Sequence, residues 1–179
     1  MKLNLTSTRL NLEIIKEEDL QEIHELHLHP EVDKFNTAGI PENIEETRKV
    51  IEKLLASVES GNAYVFSVFI ASTRQFIGMI TLNLGSKKYN AAEVWFKFSP
   101  QFWNKGFASE SLGRIIQFGF DELNLHRIEA GCAIENFGSI RVLEKAGMKR
   151  EGHRRKALPL KTGWSDNFEY AILESDFRK

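Results

Sequence analysis

The stretch Phe102-Trp103-Asn104-Lys105-Gly106-Phe107-Ala108-Ser109-Glu110 joins two segments of opposite periodicity. Upstream, Ala92-Glu93-Val94-Trp95-Phe96-Lys97-Phe98-Ser99 is rich in aromatic and branched residues and stops at Pro100, the pattern of a strand. Downstream, Ala108, Leu112, Ile115, Ile116, Gly119 and Leu123 recur at helical spacing, with Glu110, Arg114, Gln117 and Glu122 off that stripe. The turn between them therefore opens a helix. Free amides at a helix start, together with the positive end of its dipole, favour an anion such as a pyrophosphate, and Gly106 removes the side chain where a backbone must come close. A single glycine in a strand-to-helix turn also serves ordinary tight turns, so this reading needs support from elsewhere in the chain.

That support is a second strand-to-helix segment, Gly131-Cys132-Ala133-Ile134-Glu135-Asn136-Phe137-Gly138-Ser139-Ile140-Arg141-Val142-Leu143-Glu144-Lys145-Ala146-Gly147-Met148. Asn136 stands at an N-cap, Ile140, Leu143 and Ala146 form an apolar face, and Gly147 supplies the left-handed stop. Together the two segments resemble the GNAT superfamily of acyl-CoA-dependent N-acetyltransferases, and within it the RimJ/RimL-like branch. Trp103-Asn104-Lys105-Gly106-Phe107-Ala108 occupies the family's CoA motif with Trp at its first position, and Asn136-x-x-Ser139 followed by Val142-Leu143-Glu144-Lys145-Ala146-Gly147 matches the branch's later helix. The likeness extends to Thr8-Arg9-Leu10-Asn11-Leu12, to His29-Pro30-Glu31-Val32 and to the closing 163–173 segment.

The resemblance implies one GNAT-like domain over residues 1–179: a mixed α/β fold whose central, mostly antiparallel twisted sheet splays around the acyl-CoA site, with about four flanking helices. It implies acetyl-CoA as donor and a primary amine as acceptor, foremost a protein N-terminal α-amine, with a polyamine or other small amine as the alternative and a non-catalytic acyl-CoA-binding module as the reading of another class. Carried over residue by residue, Phe96, Lys97 and Phe98 would pair through their backbone with the pantetheine arm. Trp103, Asn104, Lys105, Gly106, Phe107 and Ala108 would cradle the pyrophosphate. Asn136 would hydrogen-bond the pantetheine arm, and Ser139 would sit near the thioester sulfur, where it, a water or no group serves as acid for the departing thiolate; a plain cap and a first-turn residue are the alternative reading of the two. Two departures stand out: Leu143 replaces a tyrosine acid common in the family, and Gly131 replaces a glutamate base. Glu93 is the next candidate base, with a surface or structural carboxylate as the equal alternative.

Composition narrows the classes. A chain of 179 residues with 42% hydrophobic content suits one domain with a substantial core. No apolar run approaches the roughly 20 residues of a membrane span, and the N-terminus lacks a signal-peptide core, so a cytoplasmic location is expected. The net charge of −1 provides no global field for nucleic acid. The basic run Lys149, Arg150, His153, Arg154, Arg155 and Lys156 reads first as a solvated face, and second as a site for an acidic substrate or a CoA phosphate. Cys132 reads as a small packed residue, with covalent catalysis as the alternative. His24, His27 and His29 lack a carboxylate or cysteine set at zinc spacing, so no metal is expected. Nothing in the sequence sets an oligomeric state.

Periodicity places an opening strand at 8–15, helices near 20–26 and 44–58, strands at 64–71 and 76–84, and a strand at 128–134. Two closing strands follow near 148–155 and 167–173. Segments 37–44 and 158–166 show no periodicity and read as loops bordering a site. Asp166 and Tyr170 match family positions that shape the acceptor site, with a structural hydrogen-bonding role as the equal alternative.

Overall fold

The computed structural model describes residues 3–178. Its strands are β1 (Asn4–Thr6), β2 (Leu10–Ile14), β3 (Ala63–Ile70), β4 (Phe76–Leu84), β5 (Ala91–Phe98), β6 (Arg127–Ala133), β7 (Lys149–Leu160) and β8 (Gly163–Leu173), and its helices are α1 (Leu20–Leu28), α2 (Pro30–Asp33), α3 (Ile44–Glu59), α4 (Phe107–Asp121), α5 (Phe137–Lys145) and α6 (Glu174–Phe177). The strands form one sheet in the order β1-β2-β3-β4-β5-β6-β8-β7. Every neighbouring pair is antiparallel except β5 and β6. The four longer helices are the expected ones, and α2 and α6 add four residues each.

Alternation along the central strands sends side chains to two different cores. Phe66, Val68, Ile80 and Leu82 pack with Leu112, Ile115 and Ile116 of α4, whereas Ala63, Val65 and Met79 pack with Ile23 and Leu26 of α1 and Ile51 of α3. Helix α3 begins where Asn43 accepts the Glu46 amide, a local cap that fixes its start. Strand β8 is inserted between β6 and β7. Its Tyr170, Ala171 and Ile172 are buried, while β7, half charged and mostly exposed, forms the sheet edge, where charge discourages pairing with another chain.

The structure departs from the sequence reading at both ends of the sheet. The expected opening strand at 8–15 is β2, and a further strand, β1, precedes it across a turn closed by the Ser7 amide on the Leu10 carbonyl; a three-residue strand is too short to display alternation. Segment 158–166 is no loop: β7 and β8 pair Leu158 with Ser165, Pro159 with Trp164 and Leu160 with Gly163. Register shifts between Arg150 and Gly152 and between Arg154 and Leu158 break the period of two, and that hides the strand from a pattern reading.

The feature that positions the site is a split between β5 and β6. They pair only at Ala91–Arg127, Ala92–Ile128 and Glu93–Glu129. Beyond Glu93, β5 stays with β4 as far as Phe98 while β6 continues along β8. The Ser99 amide donates to the Ile77 carbonyl on β4 at 2.9 Å, so by alternation the amides and carbonyls of Phe96 and Phe98 face the gap.

Candidate active site

The gap widens into a cleft of about 720 Å³, whose walls include Phe96, Lys97 and Phe98 of β5 and the N-terminal ends of α4 and α5. Of the residues expected to hold the donor, Phe96, Lys97, Phe98, Trp103, Asn104, Gly106, Phe107, Ala108, Asn136 and Ser139 all line it. Lys105 does not. Its carbonyl accepts from Arg9 Nη1 at 3.1 Å, and its ammonium lies 5.5 Å from the centre of the Phe102 ring. Glu93, the expected base, is exposed on the paired part of β5, in register with Glu129, and lies outside the cleft. The alternation that turns Phe96 and Phe98 backbone groups into the gap begins beyond it. A surface carboxylate is thus the reading of Glu93 that fits the geometry.

Helix α4 begins in a manner suited to an anion. Asn104 and Gly106 take left-handed conformations, at φ 59° and 81°, and no side chain caps the helix. Among the described residues the amides of Phe107, Ala108 and Ser109 donate to no protein group. A Cβ on Gly106 would approach Arg9 Nη2 to 3.4 Å. Bare amides around a residue without a side chain fit the pyrophosphate of CoA. The outer wall is tied down by Glu110, which accepts from Ser7 Oγ at 2.7 Å, the Arg9 amide at 2.8 Å and Arg9 Nε at 2.7 Å. Burial opposes ionisation of Glu110, but these hydrogen bonds outweigh it and hold the carboxyl below its usual range.

Helix α5 is built differently. Asn136 Oδ1 accepts the Ser139 amide at 3.1 Å, so the cap is a side chain of the chain itself. The Cys132 thiol donates to the Ala133 carbonyl at 3.5 Å and to the Asn136 carbonyl at 3.8 Å, and burial pushes it up to about 11 against the lowering influence of Ser139. At neutral pH that thiol is protonated and buried, which accords with packing and not with nucleophilic catalysis. Leu143 is 1% exposed and belongs to the core, so the position at which the resemblance called for a tyrosine acid points away from the cleft. Gly131 lies opposite Glu169 on β8, and a Cβ there would meet Asn167.

The far end of the cleft is bounded by Glu31 and Val32 of α2 and by Lys34 and Phe35 after it. Beside it sits a cluster that no motif announced. Asp33, 5% exposed, pairs with Lys161 Nζ at 2.9 Å through one oxygen, and its Oδ1 has no partner among the described residues. Lys161 lies in the turn between β7 and β8, so the pair ties that hairpin tip to α2. Burial lowers the Lys97 ammonium pKa despite the attraction of Asp33, and burial with the Lys97 charge pushes His27 down to about 4. His24 is held separately, by Thr47 Oγ1 at 2.7 Å. Asp166 and Tyr170 do not line the cleft: Asp166 accepts from His153 and from the Lys156 amide within the β7–β8 hairpin, and the buried Tyr170 hydroxyl donates to Glu144 on α5. Among the described residues no helix is long and apolar enough to cross a membrane, and no group of three His, Cys, Asp or Glu side chains is placed to hold a metal.

Several site residues escaped the sequence reading. Arg9 reaches the cradle across a separation of 101 residues from Glu110. Arg141, Val142 and Lys145 line the cleft from α5, and their spacing of three, four and seven from Gly138 was a signal for one helical face.

Comparison with known proteins agrees with this architecture. Residues 9–149 match the family model described as "Acetyltransferase (GNAT) domain". The chain is 34% identical over 177 residues to the uncharacterized N-acetyltransferase YnaD of Bacillus subtilis, covering 98% of this chain and 99% of that one. It is 25% identical over 171 residues to the spermidine N(1)-acetyltransferase of Vibrio cholerae, covering 96% of each. The structure of RimL, a ribosomal L7/L12 alpha-N-protein acetyltransferase in complex with coenzyme A, shares the fold at a TM-score of 0.88 and 21% identity, over 96% of this chain and 98% of that one. Matched by the family model over most of its length and 34% identical to an N-acetyltransferase across nearly all of it, the chain belongs to the GNAT superfamily and is an acetyl-CoA-dependent N-acetyltransferase.

Proposed function

We propose that the acceptor is a protein N-terminal α-amine, acetylated by direct transfer while donor and acceptor share the cleft. The observation that carries this reading is the charge of the cleft lining. Its acids are Glu31 and Glu135, and its bases are Lys34, Lys97, Arg141 and Lys145. A polyamine carries several positive charges and calls for clustered carboxylates, whereas a peptide N-terminus presents one amine that is neutral in a substantial fraction near its ordinary pKa of roughly 8. The polyamine reading rests on the likeness to the spermidine enzyme.

Phe96 and Phe98 offer open backbone groups to the pantetheine arm as an added strand would meet them, although Trp103 Nε1 already donates to the Phe98 carbonyl at 2.7 Å. Asn136 fixes the first turn of α5 and with it Ser139. The acceptor nitrogen forms a bond to the acetyl carbonyl carbon, the carbon–sulfur bond breaks, and Ser139 donates its hydroxyl proton to the departing thiolate. The proton lost by the amine passes to water, and water restores the Ser139 hydroxyl. Release of free CoA thiol, followed with a panel of N-terminal peptides and polyamines at saturating acetyl-CoA, tests the assignment. Turnover with peptides and none with spermidine is expected; the opposite pattern would transfer the enzyme to the polyamine class, and no turnover with any amine would favour a CoA-binding module.

A further inference from the structure

Lys97 stands apart from every other described lysine. Each of the others is exposed, whereas Lys97 is half-buried and lines the cleft. By the alternation that turns the backbone of Phe96 and Phe98 into the gap, the amide and carbonyl of Lys97 face Met79 on β4, so what Lys97 brings to the cleft is its side chain. That side chain leaves the sheet on the face of Met79 and Trp95, where α1 and α3 pack, while Leu112 and Ile115 of α4 pack on the other face. The start of α4 and this ammonium therefore lie on opposite sides of β5.

An ammonium drawn out of water calls for an anion, and the chain supplies none in contact with it. Among the described residues Lys97 has no hydrogen bond or ion pair. Asp33 attracts it, but Asp33 is already paired with Lys161, and burial still lowers the Lys97 pKa. His27, pushed down to about 4, is neutral near pH 7 and offers no countercharge. The other charged residues lining this end of the cleft, Glu31 and Lys34, are exposed, so water screens their charges. The basic run on β7, read as a second candidate for an acidic substrate, does not line the cleft, and its Lys149, His153 and Arg154 pair with Asp176, Asp166 and Glu169.

We propose that Lys97 is a specificity residue for the acceptor: it binds a carboxylate carried by the first or second residue, so that the N-termini received in the cleft are acidic ones. The ammonium donates to a carboxylate oxygen in a place poorer in solvent than the surface, where a charge-assisted hydrogen bond is about twice as strong as a neutral one. No bond is made or broken at Lys97. The proposal rests on the N-terminal α-amine as acceptor and adds which N-termini are taken.

Steady-state release of CoA thiol at saturating acetyl-CoA, with peptides matched except for Asp or Asn at the first or the second residue, tests it. In the wild-type protein Asp at one of these positions should lower KM by about tenfold at similar kcat. Lys97→Met should bring the ratio of kcat/KM between the Asp and Asn peptides close to one, Lys97→Arg should keep the direction of the preference, and Lys97→Glu should invert it. Equal kcat/KM for the two peptides in the wild-type protein would overturn the proposal whether or not any variant folds. A preference undiminished in Lys97→Met, including one left intact while kcat falls equally for both peptides, would also overturn it and assign Lys97 to a step shared by all acceptors. Turnover of spermidine and of no peptide would remove the N-terminal reading itself, whereas turnover of peptides regardless of their acids would leave that reading standing and remove the proposal alone.

Discussion

Helices α4 and α5 open onto the same cleft but begin in opposite ways. The start of α4 is capped by no side chain: Gly106 takes a left-handed conformation, the first amides are bare, and the helix is anchored from outside, by Glu110 on Ser7 and Arg9. The start of α5 is closed by its own residue, Asn136, which occupies the Ser139 amide. The difference divides the labour. An uncapped helix leaves backbone donors and dipole for a charged group, while a capped one has spent that donor and works through side chains. The α4 start is therefore the one suited to a phosphate, and the α5 start the one suited to positioning a hydroxyl.

The sharpest way to break this comparison is Gly106→Glu. A carboxylate among the bare amides, at a residue whose positive φ costs a side-chain-bearing residue about 1–2 kcal/mol, should weaken acetyl-CoA by roughly a hundredfold or more while circular dichroism still shows a folded domain. Unchanged calorimetric affinity in the folded variant would remove the cradle from α4. On α5 the expected loss appears in rate. Ser139→Ala should lower kcat by about a hundredfold and shift acetyl-CoA affinity by no more than about threefold, because the hydroxyl acts only as sulfur leaves. Near-normal turnover by this variant would reduce Ser139 to a first-turn residue.

Smaller effects sharpen the contrast. Glu110→Gln should cost about 1–2 kcal/mol in urea unfolding, since it weakens hydrogen bonds between α4 and the start of β2. The tie is also sensitive to acid. A carboxyl held below its ordinary 4.5 contributes stability that is fully present above that value and lost as pH falls through its lowered one, so wild type should lose this margin below about pH 4.5 and Glu110→Gln should not. Equal acid sensitivity of the two proteins would show that Glu110 is not the titrating anchor. Asn136→Ala should cost about 1 kcal/mol, the ordinary cost of a lost N-cap, with a slope near pH 4 unchanged from wild type because an amide does not titrate.

Legibility followed sequence separation. Gly106 and Asn136 could be read because the geometry each supplies is local: a left-handed turn before a helix, and a cap three residues from the amide it accepts. The β7–β8 hairpin was only half visible, since bulges shift the alternation on which a pattern depends. Glu93 illustrates the limit on site residues. Its strand was correctly anticipated, but the point at which β5 parts from β6 lies one residue beyond it, and that point decides which residues face the cleft.

By itself the sequence determined the order of most helices and strands, the left-handed Gly106 before α4 and the Asn136 cap on α5, because capping, glycine conformation and hydrophobic period act over a few residues. Only the tertiary structure decided that Arg9 braces α4, that Lys161 clamps Asp33 beside the cleft, that Leu143 faces the core and that Arg141 and Lys145 line the cleft. Those outcomes depend on which distant surfaces meet when α4 and α5 pack on one face of a split sheet, and no local spacing encodes where a sheet divides.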